Sequence, residues 1–177
     1  MKFHPLLLAL LVVWPGAGVA AAEHADVQAK SSTAVRVTGA VTAPQAFDVA
    51  ALQNLVAHDT GPVDVICASG ATVGKADSFR GVRLTDVIDA VGLKLDGHKD
   101  GRRTVIVARG SDGYLVTFSW NELYNTAIGQ EVLVAWERDG APLPAHEGQL
   151  LLVSGKDIRT GPRRVRNLAE IEVVRLQ

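Results

Sequence analysis

The chain reads as an α+β protein: a single domain with one mixed β-sheet and short helices. Three observations predict this. Short apolar runs with period-two alternation recur along the chain, six or seven of them. Only three stretches carry apolar residues at helical spacing, too few for a doubly wound sheet. No Pro/Gly/Ser-rich linker or internal repeat divides the chain after Thr33, so one domain is expected over residues 33–177.

The elements follow in order. Val35, Val37 and Val41 predict a strand over 34–41, interrupted at Gly39 and broken by Pro44. Asp48 can cap a short helix carrying Val49, Leu52 and Leu55. Val63, Val65 and Cys67 alternate as a strand that ends at the cysteine. Leu84, Val87, Ile88 and Val91 follow the i, i+3, i+4, i+7 rule, and Gly92 ends that helix. Thr104–Ala108 and Tyr114–Phe118 are strands around a Gly110–Gly113 turn. Ser119 and Glu122 have capping-box spacing and open a third helix. Glu131–Glu137 is a strand, and Asp139-Gly140 is a hairpin turn. Gln149–Ser154 is apolar enough for burial on both faces, and Ile171–Leu176 closes the chain as a strand.

Ahead of the domain stands a leader. Lys2, the apolar run Leu6–Trp14 and the A-x-A site Ala20-Ala21-Ala22 form the three-part pattern of a secretory signal peptide over residues 1–22. Residues 23–32 are polar and Ala-rich and read as a loose tail. The leader lacks an Arg-Arg pair, so general secretion to a periplasm is expected, with no membrane span left after cleavage. That route threads unfolded chain and would leave behind any cofactor inserted in the cytoplasm.

Charge and composition exclude several classes. Lys and Arg number 18 against 19 Asp and Glu, so no global field draws nucleic acid or an anionic membrane. One cysteine excludes a disulfide scaffold and a cysteine-rich metal cluster. Gly70–Lys75 imitates a phosphate loop but has three residues between its glycines, and Ala76 stands where magnesium needs a hydroxyl. His24, His58, His98 and His146 share no metal-ligand spacing and read as surface residues.

Two stretches could carry chemistry. Cys67 ends a strand and opens into the small-residue loop Ala68-Ser69-Gly70-Ala71, where a thiolate can ligate a soft metal or act as a nucleophile. By residue type and phase it can equally be a buried, inert cysteine. The segment 156–166 gathers Lys156, Arg159, Arg163, Arg164 and Arg166 against one acid, Asp157, around a Gly161-Pro162 bend. Arginine forks suit phosphate, carboxylate or the polar edge of a heterocycle, and a solvated basic loop is the alternative.

Together these stretches resemble the molybdopterin-binding domain of sulfite-oxidase-type oxidoreductases. The resemblance runs from about Val35 to Leu176. It rests on Val37-Thr38-Gly39-Ala40-Val41, Cys67, Phe79–Val87, Asp112-Gly113-Tyr114, Asp139–Leu143 and Gly161–Leu168 in that order. It implies a mixed α+β fold, a molybdenum-binding sulfur at Cys67, and a pterin and its phosphate held by positions matching Arg163 and Arg166.

At Ala68-Ser69-Gly70, Phe79 and Asn167 the chain departs from the enzymes. As a whole it is similar to short periplasmic proteins of the same fold that bind a reduced pterin and regulate a membrane cyclic-di-GMP enzyme through its periplasmic domain. Two functions therefore stand side by side. The first is an exported, non-catalytic pterin-binding module whose cofactor is a reduced pterin or molybdopterin. The second is a periplasmic molybdopterin-dependent oxidoreductase with Cys67 on molybdenum. The expected pocket comprises Cys67, Ser69, Asp112, Tyr114, Arg159, Arg163, Arg164 and Arg166, with Trp120 as a second stacking candidate and Asp157 as a second acceptor.

Overall fold

Valines at alternate positions make the first strand. In β1 (Ala34–Gly39) Val35 and Val37 are fully buried while Arg36 points outward. A computed structural model describes residues 31–76, 78–97 and 99–177. The leader, most of the tail, and the histidines at 24 and 98 lie outside the described residues.

β2 (Gln45–Asp48) folds back on β1, and α1 (Val49–Leu52) follows. Asp48 caps α1 as expected, accepting from the Ala51 N–H at 2.8 Å. β3 (Ala57–Asp59), β4 (Val63–Ile66), β5 (Thr72–Ala76) and β6 (Phe79–Arg83) come next, then α2 (Leu84–Val91). The four apolar residues predicted for the inner face of α2 are all buried, and Gly92 ends it at φ 72°.

β7 (Thr104–Gly110) and β8 (Leu115–Ser119) form a hairpin, and α3 (Trp120–Asn125) starts on the Ser119 cap, which accepts from Glu122 N at 3.0 Å. β9 (Val132–Arg138) turns through Asp139 and Gly140, both at positive φ, into β10 (Ala141–Pro142). β11 (Leu151–Ser154) and β12 (Leu168–Arg175) complete the chain.

The expected mixed α+β fold is present, and among the described residues its strands divide into more than one sheet. The strands form a five-stranded sheet in the order β2-β1-β12-β7-β8, a second built on β10-β9-β6-β3 with β11 also on β9, and the separate hairpin β4–β5. Among the described strands only the β1–β12 pairing is parallel. The fold is α+β with few, short helices, and no helix among the described residues is long and apolar enough to cross a membrane.

A large core lies between the two sheets and α2, built from residues such as Val35, Ile88, Ile106, Phe118 and Leu152. Each such fully buried side chain contributes roughly 1.5–3 kcal/mol. A smaller core on the other side of the second sheet joins Phe79, Leu133, Ala135, Leu151 and Val153 to Val63 and Ala76 of the β4–β5 hairpin. β9 therefore sends Val132, Val134 and Trp136 to one core and Leu133 and Ala135 to the other. Burial on both faces explains its unbroken apolar run, and the same holds for β11, as expected from its sequence.

Gly39 shows how closely the first sheet is packed. It sits at φ 88°, and a Cβ there would lie 2.1 Å from the Val173 carbonyl oxygen. Gly113 has a similar φ of 84° but nothing within 4 Å of a Cβ. Gly39→Ala should therefore cost about 3 kcal/mol or more, lowering Tm by roughly 6–12 °C, whereas Gly113→Ala should cost about 1–2 kcal/mol. Thermal unfolding of the two variants checks this, and equal losses would remove the steric account.

Candidate functional site

Cys67 lies at the end of β4, where the β4–β5 hairpin turns. Its N–H donates to the Ala71 carbonyl and its carbonyl accepts from Gly70 N, both at 2.9 Å, and Gly70 supplies the positive φ of the turn. The side chain is half-buried, and its Sγ lies 2.7 Å from Ser69 Oγ. That hydroxyl, with the backbone N–H groups of the same turn, holds the Cys67 thiol below its ordinary range. Cys67 is thus neither fully buried nor electronically inert.

Three loops meet at this turn. Thr160 Oγ1 accepts from Ile66 N at 3.1 Å and donates to the Asp64 carbonyl, joining the basic segment to β4. Gly161 lies so near β4 that a Cβ would stand 2.8 Å from the Ile66 oxygen. Tyr114, on the β7–β8 turn, donates its hydroxyl to the Pro162 carbonyl at 2.6 Å. Asp112 shapes that turn by accepting from Tyr114 N at 2.9 Å.

The space between the loops is an open cleft of about 470 Å3, lined by Val65, Cys67, Asp112, Tyr114, Arg164 and Arg166 among others. Val65, Val73 and Pro162 supply apolar surface, the thiol lies on the hairpin side, and the arginines supply positive charge.

The structure sorts the predicted residues. Cys67, Asp112, Tyr114, Arg164 and Arg166 line one cleft, and Ser69 is bonded to Cys67. Arg166 is exposed and makes no ion pair or side-chain hydrogen bond among the described residues. Arg159 donates to the Ala68 carbonyl and so braces the hairpin loop from outside the lining.

Arg163 departs from expectation. It forks onto Asp157, reaches Glu122 Oε1 at 2.6 Å and lies 4.4 Å over the Phe118 ring. Its hydrogen bonds to Asp157 and then to Glu122 raise its pKa against the opposing effect of burial. Both carboxylates and the guanidinium are committed to one another, so Asp157 is not a free acceptor either. Trp120 is also outside the cleft; it stacks on Tyr124 with centroids 5.0 Å apart. His58 is half-buried against Asp86 and His146 is exposed.

Glu147 is a site residue that sequence reasoning missed. Its side chain is 3% exposed and takes the 7% exposed Arg164 guanidinium at 2.5 Å, which in turn lies 5.1 Å over the Phe79 ring. A single glutamate seventeen residues upstream gives no local signal of this pairing.

A family model described as the oxidoreductase molybdopterin binding domain matches residues 23–175. No curated protein matches the chain. Among solved structures, the sulfane dehydrogenase SoxCD from Paracoccus pantotrophus is similar over 79% of this chain, with 17% identity and a TM-score of 0.62. The likeness is one of fold, and this chain spans 37% of that one.

The Cys67–Ser69 contact makes a measurable difference. The thiolate is the nucleophile, so a lowered pKa raises the reactive fraction at neutral pH. Ser69→Ala should move the pH profile of Cys67 alkylation by iodoacetamide upward and slow the reaction at pH 7. An unchanged profile would show that the hydroxyl does not support the thiolate.

Proposed function

The chain belongs to the oxidoreductase molybdopterin-binding domain family, and on that footing we propose that the cleft beside Cys67 binds a reduced pterin or molybdopterin. We further propose that the protein is exported and acts as a non-catalytic, pterin-responsive module on a membrane partner. The observation that carries the binding reading is the convergence of a thiol, an apolar wall and two arginines on one cleft. A pterin is flat, with a polar edge and an anionic or hydroxylated tail. Val65, Val73 and the Tyr114 ring suit its faces, and guanidinium forks suit its oxygens and any phosphate. The donor set fits in a further respect: buried Arg164 lines the cleft while its Nε has no hydrogen-bond partner.

Within this reading Arg166 contacts the ligand directly, and Arg164 does so from a fixed position set by Glu147. Arg163 positions the loop rather than touching the pterin. The general-secretion leader supports action in a periplasm without cytoplasmic cofactor loading. The similarity to short periplasmic regulators supports a partner of the membrane cyclic-di-GMP class, engaged through its periplasmic domain.

One observation favours the second reading, a periplasmic molybdopterin-dependent oxidoreductase. The lowered thiol pKa makes Cys67 a ready sulfur ligand. Bound molybdenum would supply oxygen-atom transfer chemistry, with Cys67 holding the metal and Arg164 and Arg166 the pterin phosphate.

Protein purified from its native cell envelope separates the two. The module should carry fluorescent pterin after oxidation and no molybdenum by mass spectrometry; stoichiometric molybdenum would overturn the non-catalytic reading. Arg166→Ala should weaken reduced-pterin binding at least tenfold with an unchanged Tm. Arg163→Ala should instead lower stability by about 1–3 kcal/mol, because it frees a largely buried Asp157. Unchanged pterin affinity in Arg166→Ala would remove the cleft assignment.

A further inference from the structure

Asp112 is the one carboxylate in the described lining of the Cys67 cleft, whose other charged residues are Arg164 and Arg166. Its Oδ1 accepts from Tyr114 N at 2.9 Å, while Oδ2 takes no hydrogen bond or ion pair among the described residues. Shaping the turn therefore uses one oxygen and leaves the other. The side chain is exposed, so a ligand can reach it. Its position is also fixed. Gly110 N donates to the Tyr114 carbonyl at 2.8 Å, and Ser111 N donates to the Asn167 carbonyl at 3.0 Å. A Cβ on Gly110 would stand 2.7 Å from both Asp112 Oδ1 and the Arg166 carbonyl oxygen. The β7–β8 turn and the segment carrying Arg166 are thus held against each other, which sets the spacing between an acceptor and a guanidinium.

We propose that Asp112 selects the ring of the bound ligand, its carboxylate accepting from the 2-amino and N3–H donors of a 2-amino-4-oxo pteridine. This rests on the pterin reading of the cleft and adds which end of the ligand meets which side chain. The pyrimidine edge of a pterin presents two adjacent donors, and an ionised carboxylate is an acceptor only. Arginine is a donor only, so Arg164 and Arg166 cannot satisfy that edge and serve the ligand's oxygens and tail instead. A lumazine, with oxygen in place of the 2-amino group, sets an acceptor against the carboxylate and is rejected.

The probes are 6-hydroxymethyl-7,8-dihydropterin and the dihydrolumazine with the same 6-substituent, titrated anaerobically into the purified protein by calorimetry. The protein should prefer the dihydropterin by about tenfold or more. Asp112→Asn keeps an Oδ1 acceptor for Tyr114 N and puts an amide donor in place of Oδ2. It should bind the dihydropterin about tenfold more weakly and the dihydrolumazine more tightly, with Tm preserved. A residue that only shapes the turn would leave the ratio of the two affinities unchanged in this variant. That result, with dihydropterin binding intact, would overturn the role of Asp112 and leave the pterin reading standing. Failure of both pteridines to bind the unaltered protein would overturn the pterin reading itself. Guanine presents the same edge, so guanosine 5′-monophosphate is titrated alongside; tighter binding of it than of the dihydropterin would overturn the pteridine as the ring that Asp112 reads.

Discussion

The buried pair Arg164–Glu147 is the interaction on which the basic cleft depends. The two side chains are 7% and 3% exposed, and each supplies the other with the opposite charge that its burial calls for. Removing one partner from such a pair leaves an uncompensated charge, at a cost of about 3–5 kcal/mol. The pair also sets geometry. Glu147 sits in the turn after β10, and its backbone carbonyl accepts from Asn167 N at 2.8 Å. Arg164 lies on the segment leading into β12, over Phe79 of β6. One carboxylate thus ties the C-terminal basic segment to the second sheet by side chain and by main chain. Asn167 takes φ 48° to make this junction, and Gly148 opposite has no room for a Cβ, which would meet Asn167 Oδ1 at 2.4 Å. A side-chain amide tolerates the left-handed conformation better than most residues do.

The cysteine side of the cleft is held differently. The β4–β5 hairpin has no neighbour in either large sheet, so main-chain ladders do not place it. Val63 and Ala76 dock it on the small core around Phe79, and Thr160 and Gly161 clasp β4 from the basic segment. Phe79 belongs to both arrangements: it is the floor of the small core and the ring beneath Arg164. Packing and electrostatics therefore meet at one aromatic side chain, which fixes the thiol and the arginine relative to each other across more than ninety residues of sequence.

Local signals were legible in the sequence and non-local ones were not. The Asp48 and Ser119 caps, the Asp139-Gly140 turn and the apolar face of Leu84–Val91 act within a few residues, and the structure has all of them. β2, β3, β5, β6 and β10 were unread because each is short and interrupted by polar, glycine or imino residues; β6 exists through pairing with distant β9 and β3, the others beside a strand near them in the chain or beside β6. The cleft followed the same division. Cys67 and the arginine cluster stood out by type and crowding, yet nothing in the sequence says which arginine Asp157 engages. Arg163 is held by Asp157, six residues away, and by Glu122, forty-one residues away and placed by the α3 cap. Trp120 was drawn away from the cleft by its own helix, where Tyr124 is its i+4 neighbour.

The turn around Ala145–Glu147 stands between the Cys67 cleft and a second, more apolar cleft beside α1 and β9. Glu147 faces inward and fixes Arg164 in the lining of the first, while Ala145 and Gly148 on either side of it line the second. A side chain buried this completely has little freedom to relax, because its Oε1 is committed to Arg164 and lies 3.7 Å from Arg138 Nη1. Two arginines and Asp112 line one cleft, and Glu137 is the charged residue among the described lining of the other. The clefts are close in size, about 470 Å3 against about 560 Å3, and differ in charge. Under the proposed pterin reading, Arg164 and Arg166 offset the desolvation of an anionic tail, which the described lining of the second cleft does not.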